Sequence, residues 1–212
     1  MDILDEAKKE AKREKLIHIY KVYGKYLVGL FLIILIVSVS CFWWQSHQES
    51  IVLEEANKYN DALLANRKDM VNKLENLKEK KSIYACLAHL ELAAICIGEN
   101  NFNKAAHNYE QFIKRKCING LYLDYARLML IKTKLVYGKI SDEMAIKLFK
   151  EYLNDSTYFQ NVARIAQSAL LVSKKGSKEE ISSELNFVTT DVNSPEKLRS
   201  LAKIIQKRVN EK

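Results

Sequence analysis

Turn-forming residues are scarce in this chain: one proline and six glycines in 212 residues. With so little punctuation, and with no long run that alternates apolar and polar residues, short strands joined by tight turns are excluded and an all-α fold is expected. Cysteine is also scarce. Of the four, Cys41 lies in an apolar run, leaving Cys86, Cys96 and Cys117, an odd number that suggests no disulfide framework. Ten residues on one helix put Cys86 and Cys96 ~15 Å apart, beyond the ~7 Å a bridge allows. Small buried side chains are the expected role, with a bond from Cys117 to either one as the alternative. Signatures of chemistry are missing too: no glycine-rich phosphate loop, no Gly-x-Ser-x-Gly, no His-Glu-x-x-His. The four histidines (His18, His47, His89, His107) are scattered, so no catalytic residue is expected, and no cofactor. Cys86 and His89 could share a helix face with Cys96 and His107 nearby, but packing explains them better than a metal.

What the chain has in plenty is one uncharged run, Tyr26 to Trp44, 19 residues long. At ~1.5 Å per residue it covers the ~30 Å of hydrocarbon in a bilayer. Tyr26 at one end and Trp43 and Trp44 at the other suit the headgroup level, and Leu30, Ile34 and Val37 lie between. The run is too long, and ends too aromatic, for a cleaved signal peptide. Seven basic residues precede it (Lys8, Lys9, Lys12, Arg13, Lys15, Lys21, Lys25), while Gln45 to Glu55 contain none. The positive-inside rule then keeps 1–25 in the cytoplasm as a charged arm and exports the rest. Lipid is accordingly one expected partner.

The exported part is long enough for one domain with its own core. Its charges are mixed in sign, and over the whole chain lysine outnumbers arginine 27 to 7, a poor match to the arginine forks of nucleic-acid recognition. Helices are expected at about 47–65, 69–80, 82–97, 102–116, 120–137, 141–153, 158–173, 178–189 and 195–210. Ser82, Ser141, Ser177 and Ser194 read as entry residues, the last with Pro195 at the first helical position, and Gly98, Gly138 and Gly176 stand at exits. The run Lys114-Arg115-Lys116 reads as a solvated helix end, with a docking patch as the sharper alternative.

Ala88-His89-Leu90, Ala126-Arg127-Leu128 and Ala163-Arg164-Ile165 recur at spacings of 38 and 37. A fixed period filled by two helices indicates an α-solenoid. The best unit, Leu87 to Lys116, offers Leu92, Ala93 and Cys96 on its first helix, then Phe102, Ala105, Tyr109 and Phe112 on its second; Leu130 follows Ala126 in the next. These resemble the small and large residues that bring helices together in tetratricopeptide repeats. His89 stands where that family often has Trp, and Asn100 where its turn glycine falls. A plain helical bundle is the alternative. The organisation expected is 1–25 arm, 26–44 membrane helix, 45–81 stalk or first helix pair, and 82–212 repeat domain. Within 45–81, Ile51, Leu53, Ala56, Tyr59, Leu63, Val71, Leu74 and Leu77 form an apolar stripe that could pack on the solenoid or on a second copy.

Lys12-Arg13-Glu14-Lys15-Leu16, Tyr23-Gly24-Lys25-Tyr26-Leu27 and Trp43-Trp44-Gln45, followed by degenerate repeats, resemble the bacterial ancillary subunit of the Sec translocon. That resemblance implies an inner-membrane protein with a periplasmic repeat domain, whose partners are translocon subunits, periplasmic chaperones or exported chains. The unit around Ala163 to Val188 departs from the pattern, with Ser173-Lys174-Lys175-Gly176-Ser177 at its turn and no clear aromatics. Two function classes follow: a membrane-tethered protein-binding module, or a bitopic envelope or division scaffold that self-associates without clients.

Overall fold

A computed structural model describes the backbone of residues 3–80 and 82–211; the side chains of 3–12, 14–20, 22–25, 27 and 28 lie outside the described residues, and most of the cationic arm lies there with them. Among the described residues there are nine helices and no strand: α1 (Ile3–Leu63), α2 (Arg67–Lys78), α3 (Ile83–Gly98), α4 (Phe102–Arg115), α5 (Leu121–Val136), α6 (Asp142–Asp155), α7 (Gln160–Ser173), α8 (Lys178–Thr190) and α9 (Glu196–Asn210). The chain divides into two compact units, Met1–Glu54 and Glu55–Lys212.

Within the first unit, the expected break between the apolar run and a helix at 47–65 is absent, because α1 is continuous. Nothing between Gly29 and Leu63 is a proline or glycine, so the backbone has no reason to interrupt its i→i−4 ladder. The hydroxyl of Ser38 satisfies itself on the Ile34 carbonyl, 2.8 Å away. Gly29–Leu63 is long and apolar enough to cross a membrane, and the window that meets this test has none of its residues buried against the rest of the chain.

The second unit is an array of antiparallel helices, each packed on the next in sequence. Four small cores follow one another. Ala62, Leu74, Leu77, Ala88 and Leu92 join α1, α2 and α3. Cys86, Leu90, Ala93, Tyr109, Phe112 and Ala126 join α3, α4 and α5. Leu128, Ile131, Ala145, Phe149, Tyr152 and Ala163 join α5, α6 and α7, and the last core joins α7, α8 and α9 through Ile165, Leu185, Val188 and Ala202. Each of α3, α5 and α7 thus serves two cores, one on either side, which is how a solenoid buries helices that are apolar nearly all round.

The period is visible in the backbone. Ala88, Ala126 and Ala163 are wholly buried, and each belongs to the core formed with the preceding helix pair. Twelve residues after each stands a residue in the left-handed conformation: Asn100 (φ 58°), Gly138 (φ 72°) and Lys175 (φ 55°). The next amide returns to a carbonyl one turn back, Asn101 to Cys96, Lys139 to Lys134 and Gly176 to Leu171, at 2.8 to 2.9 Å. All three helices therefore stop by one motif, a left-handed cap closed by a 6→1 hydrogen bond. Of the glycines expected at these exits only Gly138 takes the left-handed position. Gly98 is the last residue of α3, and Gly176 is needed for proximity, since a Cβ there would stand 3.1 Å from Leu171 Cδ2 and 3.2 Å from its carbonyl oxygen. Ala202, also wholly buried, extends the series to α9 by a further 39 residues.

Ser82, Ser141 and Ser177 cap α3, α6 and α8 through hydrogen bonds from the amides of Ala85, Met144 and Glu180. Ser194 does not cap α9. It is buried with its hydroxyl unpartnered, and Pro195 occupies the cap position, its carbonyl accepting from Leu198 and Arg199. The cysteine expectation is corrected as well: Cys86 is bonded to Cys117, with Cα atoms 6.3 Å apart, tying the start of α3 to the segment after α4. Cys117 stands within reach because α4 runs antiparallel to α3 and returns the chain to α3's first turn. Cys96 stays free and half-buried.

Candidate functional site

The anchor residues singled out from the sequence are exposed along α1: Tyr26, Leu30, Ile34, Val37, Trp43 and Trp44 each show between 54 and 69 % of their surface. In water such a row carries a hydration cost that a bilayer removes.

The repeat residues divide between cores. Ala88 and Leu92 face α1 and α2, whereas Ala93, Tyr109, Phe112 and Ala126 meet between α3, α4 and α5, with Leu130 packed at their edge. Ala105 is buried, Phe102 and Cys96 are half-buried, and Ala163 lies in the α5–α6–α7 core. His89 is buried, its Nδ1 3.0 Å from Asn108 Oδ1, while Asn108 Nδ2 donates to the Lys104 carbonyl. Since the Asn108 amide nitrogen is engaged, its oxygen must accept, so His89 Nδ1 carries the proton. Burial lowers the His89 pKa, so the ring joins α3 to α4 as a neutral donor.

The helices serving two cores each carry an aromatic ring at or beside their first turn. Four residues before each buried alanine stands a ring: Tyr84, Tyr122 and Phe159. Tyr59, near the end of α1, packs with its centroid 5.9 Å from Tyr84, and its hydroxyl donates to Glu91 Oε1 at 3.4 Å. Burial first, then the Glu91 charge and the Tyr122 phenol, push the Tyr59 pKa up to about 12. Tyr125 lies edge-on to Tyr109 at 6.4 Å and tilted against Phe159 at 6.0 Å. Side chains from α1, α3 and α5 thus gather around Tyr59, with Glu91 accepting from its hydroxyl. Sequence reasoning placed Tyr59 on a stripe but missed Tyr84, Glu91 and Tyr122; the aromatic four residues ahead of each alanine was the available signal.

Elsewhere several surface charges are paired. Lys134 pairs with Glu110 at 2.6 Å, Lys150 with Glu180 at 2.6 Å, Lys174 with Glu143 at 2.9 Å, and Arg164 with Glu184 while stacking over Phe187. Asp124, buried, accepts the amides of Thr157 and Tyr158 at 2.9 Å and fixes the α6–α7 turn. In the basic run ending α4, Arg115 donates to the Lys80 carbonyl at 2.8 Å, while Lys114 and Lys116 are exposed. A cleft of about 290 Å³ lies between α4, α5 and α6, floored by Ile113, Leu130, Ile131 and Leu148 and rimmed by Arg127 and Glu151. No group of three or more potential metal ligands occurs among the described residues.

Residues 18–180 match the tetratricopeptide repeat-like domain family. No curated protein and no solved structure matches the chain.

Proposed function

For a chain that belongs to the tetratricopeptide repeat-like domain family, we propose the role of a membrane-tethered protein-interaction module. Such folds act as scaffolds for protein partners rather than as catalysts. The observation that carries the reading is the pairing, in one chain, of an exposed apolar segment on α1 with a repeat array in which Tyr84, Glu91 and Tyr122 of the shared helices and Tyr59 of α1 leave part of their surface open. Tethering raises the local concentration of that surface for anything arriving at the membrane.

In the finer form of the proposal, 1–25 is the cytoplasmic arm, 26–44 spans the bilayer, 45–81 is the stalk and first helix pair, and 82–212 lies outside the cytoplasm as the repeat domain. The excess of basic residues before the span supports that orientation, and the Cys86–Cys117 bond suits an oxidising compartment. The arm and anchor resemble the ancillary subunit of the bacterial Sec translocon, so the clients proposed are exported polypeptides, the translocon and periplasmic chaperones. Crosslinking from single cysteines placed along α3, α5 and α7 in intact membranes tests this. Adducts with translocon subunits or exported chains are the expected result, and adducts confined to copies of the same chain would overturn it in favour of a self-associating scaffold.

A further inference from the structure

Glu91 occupies a position that the array elsewhere gives to an apolar side chain. Three residues on from each buried alanine stand Glu91, Met129, Ala166 and Ile205, and the last three pack against the cores of their own junctions. A half-buried carboxylate at that register gives up packing and also loses water, a cost normally met by a paired cation. Glu91 has none: among the described residues its partner is the neutral hydroxyl of Tyr59. Glu110, Glu143, Glu180 and Glu184 are each matched by a lysine or arginine.

Two further groups point the same way. Glu55, one turn before Tyr59 on the same face of α1, keeps Oε2 buried without a hydrogen-bond partner. Tyr109 on α4 is wholly buried, and its hydroxyl faces Tyr125 without closing a hydrogen bond while lying within electrostatic reach of Glu91. Beside the Tyr59–Glu91 pair stands the ring of Tyr84, and the 48 % exposed Tyr122 lies within electrostatic reach of Tyr59. Their rings offer π-faces and oxygen acceptors and no positive charge.

We propose that Glu55, Tyr59, Tyr84, Glu91 and Tyr122 form a receptor for one basic side chain, a lysine or arginine carried by an extended partner polypeptide. Carboxylate and tyrosine faces together are what an ammonium or guanidinium group selects, and no lysine or arginine among the described residues pairs with Glu91. The chain is +8 overall, so attraction here is local and depends on contact rather than on long-range steering. The inference rests on the client-binding reading and names the chemistry its client must present.

The test uses the full chain in lipid-bilayer discs and short blocked peptides identical except for one central residue: lysine, norleucine or glutamate. The lysine peptide is expected to bind about tenfold more tightly than the norleucine peptide, the size of one partly desolvated cation contact. Glu91→Gln should abolish the preference without lowering the melting temperature, and Tyr122→Ala, at an exposed site, should reduce it if the first variant fails to fold. Equal affinity for the three peptides, or a lysine preference intact in a Glu55→Gln, Glu91→Gln double variant, would overturn the proposal. A photocrosslinker at residue 122 in intact membranes separates the two readings. Adducts with other polypeptides that persist unchanged in Glu91→Gln sink the receptor and leave client binding standing. A lysine preference in discs with adducts to no other polypeptide does the reverse.

Discussion

Ala163 has no exposed surface and sits where α7 approaches α5 and α6. Its methyl group sets how near the helices come, so Ala163→Leu is expected to destabilise by about 1–3 kcal/mol through overpacking. Urea unfolding followed by circular dichroism reads that shift directly. Titration is also set residue by residue. Tyr59 and Tyr152 are pushed from the usual 10.0 up to about 12, chiefly by burial, so the folded state holds their protons more tightly than the unfolded chain does. Their contribution to stability is fully present below pH 10 and drains away as pH rises toward 12. Absorbance at phenolate wavelengths should show late-ionising tyrosines, and Tyr59→Phe should remove one of them; an unchanged late phase in that variant would contradict the assignment.

At the scale of helices and their junctions, the Cys86–Cys117 bond closes a separation of 31 residues across α3 and α4. Chain-entropy arguments give it about 3–4 kcal/mol, so Cys117→Ser should unfold at markedly lower urea than the parent, and a reducing agent should lower the parent while leaving the variant unmoved. Element positions were legible in the sequence because serine caps and apolar period coincide: α6 was expected at 141–153 and runs Asp142–Asp155, α8 at 178–189 and runs Lys178–Thr190. Three things were not legible. The start of α9 misled because Ser-Pro also suits an extended turn, in which Ser194 is buried and the cap passes to Pro195. The disulfide depends on where the chain after α4 returns, which no local spacing encodes. The surface around Glu91 was hidden because its members come from three helices, and in sequence Glu91 reads as a minor interruption of an apolar run.

For the molecule as a whole, the exposed apolar row from Leu30 to Trp44 predicts retention in the membrane fraction through alkaline carbonate, with release when residues 1–44 are deleted. Extraction of the intact chain by carbonate alone would remove the anchor from the picture. The repeat unit has graded cover. Leu90, Leu128 and Ile165 are buried to 8 % or less by the helix pair that follows each, whereas Ile204, at the same register on α9, is 53 % exposed. Ile165→Asp should therefore be severely destabilising and Ile204→Asp tolerated within about 0.5 kcal/mol, and amide exchange should be faster along α9 than along α3 or α5.

That graded cover also governs what the domain does under load. Since every junction is a separate small core sharing a helix with its neighbour, tension drawn between residues 118 and 211, beyond the Cys86–Cys117 bond, meets no central clasp. Lengthening in an optical trap should come as a staircase, beginning with α9, whose outer side nothing grips. A ratcheted ribbon of this kind yields a little at a time and rewinds from whatever hairpin is still wound.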